Sequence, residues 1–333
     1  MAGLPARIGI AHETCFGFLR ELGEAVMDIA RESGRDARDV DSADDEAGVD
    51  LVLAIGSVHL YPDLVARPRS ARRILWHTEP LPRTTAPSRS GVHQWLPTGR
   101  ILDISRAALP SLERSAAWRC WREQAANVRE PLTNLAQLRH HAAAFDRIVI
   151  DAHSRAEGAF EAGLHVEVVP FGYHSTWAGP IGASGQRDIE IVAMGNVSPI
   201  ARRLRILTAL EDELSRSNIK VSRISGHVYG AARRSALERA RVSIDIHRIP
   251  GGYPLYNFIL ASAAGAALLT EPLIKPAPLV AGVHYVEAEA ADLARAARDL
   301  LADEPRRLRM VEAAQQLLRT DLDLHRTLPL ALG

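Results

Sequence analysis

The sequence has few of the features that would assign it to a specialised class of protein. Its 2 cysteines, Cys15 and Cys120, form no C-x-x-C pair, so we expect neither a disulfide framework nor a cysteine metal cage. The longest apolar run, Ile259 to Thr270, is shorter than the ~20 residues that cross a bilayer. The opening residues, Met1 to Ala11, show no signal-peptide pattern. We therefore predict a cytoplasmic protein without integral membrane association.

An excess of charge is also missing. The 40 basic and 40 acidic residues give a formal net charge of +0, which removes the attraction that nucleic-acid binders generally use. We expect no nucleic-acid partner. No G-x-G-x-x-G motif follows a predicted strand, which argues against an NAD-dependent oxidoreductase. With 333 residues and 47% hydrophobic content, the chain has enough apolar material for two domains.

Short apolar runs alternate with helical patterns, which is typical of parallel sheets covered by helices. The first series of predicted strands is Arg7–Ala11, Val49–Gly56, Arg73–His77, Arg147–Asp151 and Val166–Pro170. After a stretch of small residues that we interpret as a linker, a second series follows, with Ile189–Met194, Lys220–Ile224, Val242–Ile246 and Ala266–Thr270. This predicts an α/β fold with two tandem, doubly wound, Rossmann-like domains facing each other across a cleft. The expected domains are residues 1–178 and 186–319, followed by a tail of residues 320–333.

Ligands of such folds bind at the carboxyl ends of the strands, so the loops there are the candidate sites. Gly195 and Asn196 follow one strand and open a helix, which is typical of an anion site. Arg202 and Arg203 lie in the first turns of that helix, where the helix dipole disfavours positive charge unless an anion compensates it. We interpret this as a diphosphate clamp; the alternative is a solvated basic face.

Two further loops offer polar groups. His227 and Tyr229 lie between glycines, and Tyr229 could hold a flat nucleobase; an ordinary strand-to-helix turn is the alternative. The loop from His247 to Tyr253 follows a buried strand, and Gly251 and Gly252 offer backbone N–H groups to an oxyanion or to sugar hydroxyls. A lone histidine at a strand end is often only structural, but the paired glycines favour a site.

The last of these loops contains Glu271 and Lys275. Glu271 could accept hydrogen bonds from sugar or ribose hydroxyls, and Lys275 could neutralise phosphate. The alternative is a Glu–Lys surface pair, which contributes little energy.

In the N-terminal half, His12 and Glu13 follow the first strand, and His77 and Glu79 follow a later one. A glycosyl acceptor must lose a proton as it attacks, and an imidazole or a carboxylate can take that proton. We expect the base among His77 and Glu79, with His12 and Glu13 as the second choice.

Several motifs together resemble a known family. They are G-N-x-x-P-x-x-R-R, V-Y-G-A-x-R, S-I-D-I-H-R, A-S-A-A-G-A-A-L-L-T-E-P and P-L-V-A-G-V-H-Y-V. This pattern resembles GT-B-fold glycosyltransferases, and more narrowly the "glycosyl transferases group 1" and CgeB-like bacterial branch, over Asp188 to Leu318. The resemblance implies an N-terminal acceptor domain, a C-terminal nucleotide-sugar domain, a tail that packs back on the first domain, and transfer without a catalytic metal or other cofactor.

The sequence also departs from that family. The positions that usually carry an arginine or an acidic residue toward the nucleotide are here Asn257 and Leu260. Either Glu271 or Glu287 replaces the ribose-binding carboxylate, or donor recognition is unusual, or transfer activity has been lost. We predict a hexosyltransferase that uses a nucleotide-diphosphate sugar, with UDP as the expected nucleotide. The expected acceptor is a small molecule, as in natural-product biosynthesis, or a cell-envelope component. The alternatives are a nucleotide-sugar epimerase and a non-catalytic nucleotide-sugar-binding protein, and a homodimer is compatible with the sequence.

Overall fold

A computed structural model describes residues 5–12, 17–40, 45–82, 130–182, 185–195, 201–224, 228–248 and 250–333. Two parallel sheets organise this part of the chain, one with six strands and one with five. Helices connect most of the successive strands within each sheet, as the alternating sequence pattern predicts.

The first sheet has the strand order β2-β1-β3-β4-β5-β6. Its strands are β1 (Arg7–His12), β2 (Asp36–Asp39), β3 (Leu51–Ile55), β4 (Arg72–His77), β5 (Arg147–Ile150) and β6 (Glu167–Val168). Its helices are α1 (Gly17–Glu32), α2 (Pro62–Ala66), α3 (His153–Glu161) and α4 (Ser175–Ala178), and residues 130–141 are also helical. All five residues of the central strand β3 are buried, as both faces of a covered parallel sheet require.

The second sheet has the strand order β11-β10-β9-β7-β8. Its strands are β7 (Ile189–Met194), β8 (Val221–Ile224), β9 (Ala240–Asp245), β10 (Ala267–Thr270) and β11 (Val286–Glu287). The helices around it are α5 (Ala201–Ser215), α6 (Gly230–Glu238), α7 (Leu255–Ala263), α8 (Leu293–Ala302) and α9 (Glu304–Arg319). The same strand order in both halves confirms the prediction of two doubly wound domains.

One of the hydrophobic clusters in the described part of the chain extends across both halves. This cluster contains Ile10 and Trp76 of the first sheet together with Phe258 of α7 beside the second sheet. Across the contact, Trp177 of α4 stacks on Tyr256 of α7, with ring centroids 5.6 Å apart and an interplanar angle of 8°. The domains are therefore packed against each other and not merely tethered.

A buried ion pair reinforces this contact. Arg233 of α6 donates to Glu21 of α1 at 3.0 Å and to the carbonyl of Trp177 at 3.1 Å, and it also bonds the hydroxyl of Tyr256. Glu21 also accepts the Gly230 N–H at 3.1 Å. Because this arginine side chain is only 5% exposed, losing its carboxylate partner would leave a buried charge uncompensated.

The chain ends in α10 (Leu324–Leu332), which lies against the first half of the chain. The Leu324 N–H donates to the Tyr173 carbonyl at 2.9 Å, and Arg147 donates to the Ala331 carbonyl at 3.1 Å. The exact domain boundaries remain predictions. Among the described helices, none combines the length and apolarity that a membrane span requires.

Candidate active site at the facing edges of the two sheets

Sheet topology locates the candidate site. In the second sheet, β7 lies between β8 and β9, so the strands that follow it in sequence are placed on both of its sides. In the first sheet, β1 lies between β2 and β3 in the same way. Doubly wound sheets bind ligands in the crevice at the carboxyl ends of such strand pairs. The described residues that follow β7, β9 and β10 therefore form one side of the candidate site, and those that follow β4 and β5 form the other.

On the second sheet, Glu271 holds Arg202 in a fixed position. The carboxylate follows β10 and is 4% exposed. Arg202 donates to Glu271 Oε2 at 2.9 Å, forms a second bond to Oε1, and donates to the His247 carbonyl at 2.7 Å. Burial raises the pKa of Glu271, but its bonds with Arg202 and with the His247 N–H outweigh burial and keep that pKa below its usual value. The carboxylate is therefore ionised at neutral pH.

This arrangement leaves part of the Arg202 guanidinium available. Bonds within the described part of the chain use both Nη1–H groups and one Nη2–H group. An arginine has five N–H donors, so the Nε–H and the second Nη2–H remain. Those two donors form a planar fork that matches two phosphate oxygens.

His247 is fixed by three contacts besides the bond that its carbonyl accepts from Arg202. Its backbone N–H donates to Glu271 Oε2 at 2.8 Å, and its Nδ1 accepts the Gly252 N–H at 3.1 Å. Since Nδ1 is an acceptor, the neutral ring carries its proton on Nε2, which lies 2.8 Å from Thr270 Oγ1. Burial lowers the pKa of His247, although Asp245 and Glu271 oppose this effect. Gly251, with φ of 68°, makes the turn that brings the Gly252 N–H to the ring.

Two more side chains complete this edge. Asn257 of α7, one of the positions where the chain departs from the family pattern, donates to Asp245 at the end of β9. Arg203 donates through Nε to the Ile246 carbonyl at 2.6 Å, and burial lowers the pKa of its guanidinium. Gly195 has a φ of 109°, and a Cβ there would lie 3.2 Å from Arg203 Nη1, so glycine permits this close approach. Neither Arg202 nor Arg203 belongs to a solvated basic face.

The first sheet contributes a group of titratable residues. Asp151 directly follows β5 and is 2% exposed; Arg155 of α3 contacts both of its oxygens at 2.7 Å. Burial raises the pKa of Asp151 to about 6, although Arg155 opposes the shift. Glu79 after β4 is half-buried, and burial raises its pKa as well. A raised carboxyl pKa makes a stronger base near neutral pH.

His77 lies at the end of β4 but is completely buried. Neither ring nitrogen has a hydrogen-bond partner in the described part of the chain. Burial, followed by the charge of Arg155, lowers the pKa of His77 to about 3. The ring is therefore neutral and is shielded from solvent, whereas Glu79 is partly open.

The two edges face each other. Arg248, after β9, forms an ion pair with Glu130 of the first half through two hydrogen bonds. The bond from Arg248 Nη1 to Glu130 Oε1 is 3.0 Å long, and Nη2 donates to Oε2. Lys275, after β10, pairs with Glu157 of α3, and Glu271 pairs with Arg202, so the Glu271–Lys275 surface pair that was the alternative interpretation does not form. Tyr253 is buried, and burial raises its pKa, with a smaller contribution from the charge of Asp151.

Other predicted residues lie elsewhere. The His12 Nε2 lies 2.9 Å from Asp39 Oδ1, and a Cβ on Gly23 of α1 would be 2.5 Å from the His12 ring, so this side chain packs beneath α1. Tyr229 packs on the first half of the chain, since a Cβ on Gly17 would lie 2.7 Å from its ring. The remaining predicted residues, Glu13, Asn196 and His227, lie outside the described residues.

Several participants were not predicted from the sequence, among them Asp245, Asp151, Arg155 and Glu130. The two aspartates had a usable signal, because each closes a mainly apolar stretch, V-S-I-D and I-V-I-D, where a buried carboxylate is costly unless it is paired. Arg155 lies four residues after Asp151 at the start of a helix, a spacing from which their ion pair could have been predicted. Glu130 gave no signal, since its partner Arg248 is 118 residues away.

Comparisons with solved structures establish the fold. The chain is similar to an α-glucosyltransferase in complex with UDP and a 13-mer DNA containing an HMU base, with 9% identity, 97% of each chain covered and a TM-score of 0.58. It is also similar to Alr3699/HepE of Anabaena in complex with UDP and glucose (12% identity, 98% of this chain and 99% of the other covered, TM-score 0.53). A third similar structure is WaaG, a glycosyltransferase involved in lipopolysaccharide biosynthesis (11% identity, 98% of each chain covered, TM-score 0.51).

No protein-family model matches the sequence, and no curated protein matches it. The structural similarities extend over nearly the whole chain and confirm the predicted GT-B fold. At such low identity they establish the fold alone. The CgeB-like branch remains a prediction.

Proposed function

We propose that the protein is a glycosyltransferase that takes a sugar from a nucleotide-diphosphate sugar. The observation that carries this proposal is the guanidinium of Arg202, which Glu271 and the His247 carbonyl hold so that two N–H donors remain for a ligand. This fork lies at the carboxyl ends of β7, β9 and β10, where nucleotide ligands of doubly wound sheets bind. The GT-B fold adds support, because two of the similar structures contain UDP.

In this proposal Arg202 and Arg203 face the diphosphate. As the bond between the anomeric carbon and the diphosphate oxygen breaks, negative charge grows on the leaving group. Donors that are already in place stabilise that charge without reorganisation, and such stabilisation is usually the largest catalytic contribution. We assign Glu271 the positioning of Arg202 and no contact with the ribose, because its carboxylate is 4% exposed and already accepts three hydrogen bonds.

Glu79 is our choice for the base on the acceptor side. It is half-buried, and burial raises its pKa, although the charges of Arg155 and Arg248 oppose that shift. The acceptor hydroxyl forms the new bond to the anomeric carbon while its proton passes to this carboxylate. His77 and Asp151 are too deeply buried to contact an acceptor in this conformation. UDP as the nucleotide, a hexose as the sugar and a small or envelope acceptor are the finer parts of the proposal.

A nucleotide panel tests the proposal. Thermal shifts with UDP, GDP, ADP and TDP identify the base, and the matching nucleotide sugars are then incubated with small hydroxyl acceptors while release of nucleoside diphosphate is measured. We expect acceptor-dependent release. Conversion of the nucleotide sugar to an isomer without an acceptor would indicate an epimerase. Binding without turnover would indicate a binding protein, and no binding at all would contradict the proposal.

Glu79→Gln separates the base from donor binding. Because the amide cannot accept the proton, we expect kcat to fall by roughly 10²- to 10⁴-fold with nucleotide affinity unchanged. Glu161→Gln, at an exposed position in α3, is the matched control and should leave both quantities unchanged. Full activity in Glu79→Gln would exclude this role.

A further inference from the structure

Three side chains from distant parts of the chain meet at the far end of α1. They are Glu32, the last residue of α1, His174, which caps α4, and His325 in the first turn of α10. One ligand atom from each lies within 4.8 Å of the others. Because α1 starts at the carboxyl edge of the first sheet and has 16 residues, its last residue is roughly 24 Å from its first. The group is thus separate from the candidate active site.

The pair of Glu32 and His325 has the spacing of two zinc ligands. Glu32 Oε2 lies 3.2 Å from His325 Nε2. In a tetrahedral site with zinc–ligand bonds of about 2.0–2.1 Å, two ligand atoms are about 3.3 Å apart. The other ring nitrogen, His325 Nδ1, lies 3.1 Å from Asp323 Oδ1. A carboxylate on the far nitrogen is the usual outer partner of a metal-binding histidine, because it fixes the tautomer and the ring orientation.

His174 supplies the buried side of the group. It is 7% exposed, and its ring centroid is 5.3 Å from that of His325. Its Nδ1 accepts the Thr176 N–H at 3.4 Å, near the outer limit of a hydrogen bond. If Nε2 binds a cation, the ring proton moves to Nδ1 and only this weak bond is given up. Asp28, which accepts the Thr176 hydroxyl at 3.0 Å, adds negative charge beside the ring.

The backbone frame around these side chains is tightly defined. The Leu324 N–H donates to the Tyr173 carbonyl at 2.9 Å, directly beside both histidines. A Cβ on Gly172 would lie 2.4 Å from the Leu324 nitrogen, so the two segments approach each other as closely as glycine allows. Asp323 accepts the His325 N–H at 2.9 Å and caps α10. Ligands on such a frame need only small side-chain rotations to bind a metal.

We propose that Glu32, His174 and His325 form a binding site for a divalent transition metal, with zinc as the preferred ion. Two imidazoles and one carboxylate form a ligand set that zinc favours, and a water molecule would complete the tetrahedron. The bound ion would join α1, the segment before α4 and the C-terminal helix. It would stabilise the docking of the chain's end and take no part in sugar transfer.

The test uses the purified full-length protein, stripped of metal with a chelator and titrated with zinc chloride by calorimetry. We expect one zinc equivalent that is lost, or weakened by about 100-fold or more, in His325→Ala and in Glu32→Gln. His165→Ala removes an exposed histidine elsewhere and should retain that equivalent. Zinc should also raise the Tm of the wild type and of His165→Ala, but not that of the other two variants.

The side chains of His325 and Glu32 are 49% and 60% exposed, so the variants at these two positions should fold normally. Cobalt in place of zinc should give the visible absorption of tetrahedral coordination in the wild type only. A wild-type protein that takes up no zinc would overturn the proposal. Zinc binding that is equal in the wild type and in both variants would overturn it too, since the ion would then lie elsewhere.

Discussion

Replacing Glu271 by alanine tests the positioning of Arg202 through protein stability, independently of any substrate. The carboxylate is 4% exposed, and the Arg202 side chain is 20% exposed. The substitution removes both bonds to the guanidinium and leaves the His247 N–H without its acceptor at 2.8 Å. Breaking a buried ion pair by removing one partner costs about 3–5 kcal/mol. Because Arg202 keeps its 2.7 Å bond to the His247 carbonyl, we expect the lower end, about 3 kcal/mol.

The reverse substitution and the double variant refine the prediction. Arg202→Ala leaves a buried carboxylate that retains the His247 N–H, and we expect a loss of about 2 kcal/mol. The double variant should lose less than the sum of the two, because no unpaired charge remains, with a coupling energy of about 1–3 kcal/mol. Lys275→Ala is the matched control: its ammonium is 56% exposed, so breaking its pair with Glu157 should cost less than about 1 kcal/mol.

The assay is urea-induced unfolding, followed by circular dichroism and tryptophan fluorescence. The pH dependence adds a second check. Since the pKa of folded Glu271 lies below its usual 4.5, its stabilisation is present above that pH and is lost as the pH falls through the lower, folded value. Glu271→Ala should lack this part of the acid sensitivity. Single variants as stable as Lys275→Ala, or strictly additive losses, would refute the positioning of Arg202 by Glu271.

Three further perturbations test other parts of the structure. His77 has a pKa of about 3 in the folded protein and is neutral there, so the free energy of unfolding should fall as the pH drops below 6.5. At about pH 5 this loss is about 2 kcal/mol, and His77→Phe should abolish it. An unchanged pH profile in His77→Phe would contradict this prediction. Glu21→Ala leaves the buried Arg233 without its carboxylate partner between the domains and should cost about 3 kcal/mol by thermal unfolding. An effect no larger than that of Glu24→Ala, whose side chain is 43% exposed, would argue against a buried pair. Gly172→Ala forces the backbone away from α10, so we expect it to lower the free energy of unfolding by roughly 1–3 kcal/mol and to speed proteolysis of the C-terminal helix. Protease resistance equal to that of the wild type would show that the close approach is not needed.

The central strands of both sheets and the edge strands β6 and β8 were predicted from the sequence, whereas the edge strands β2 and β11 were not. β7 (I-E-I-V-A-M), β9 (A-R-V-S-I-D) and β10 (A-L-L-T) are mostly buried and mainly apolar, because helices cover both faces of the sheet. By contrast, β2 reads D-A-R-D and pairs only with β1, so three of its four residues are exposed and the apolar pattern is absent. β11 has only 2 residues and is too short to show a period.

The loops of the candidate site could be placed from the sequence, but the bonds within them could not. Glu271 and Arg202 were each singled out as ligand contacts, yet they bond to each other across 69 residues of sequence. Single-sequence patterns carry no information about such long-range partners. The burial of His77 was unpredictable for the same reason: a polar residue at a strand end is usually open to the cleft, and only the packing of neighbouring elements closes it.

Binding of nucleoside diphosphate to Arg202 is the central claim, and calorimetry tests it directly. UDP, or the nucleotide that the thermal panel selects, is titrated into the wild type, Arg202→Ala and Arg205→Ala, the last being an exposed arginine on the same helix. We predict that Arg202→Ala loses at least about tenfold in affinity, or about 1.4 kcal/mol, and that Arg205→Ala binds as the wild type does. Equal affinity in all three proteins would contradict the account.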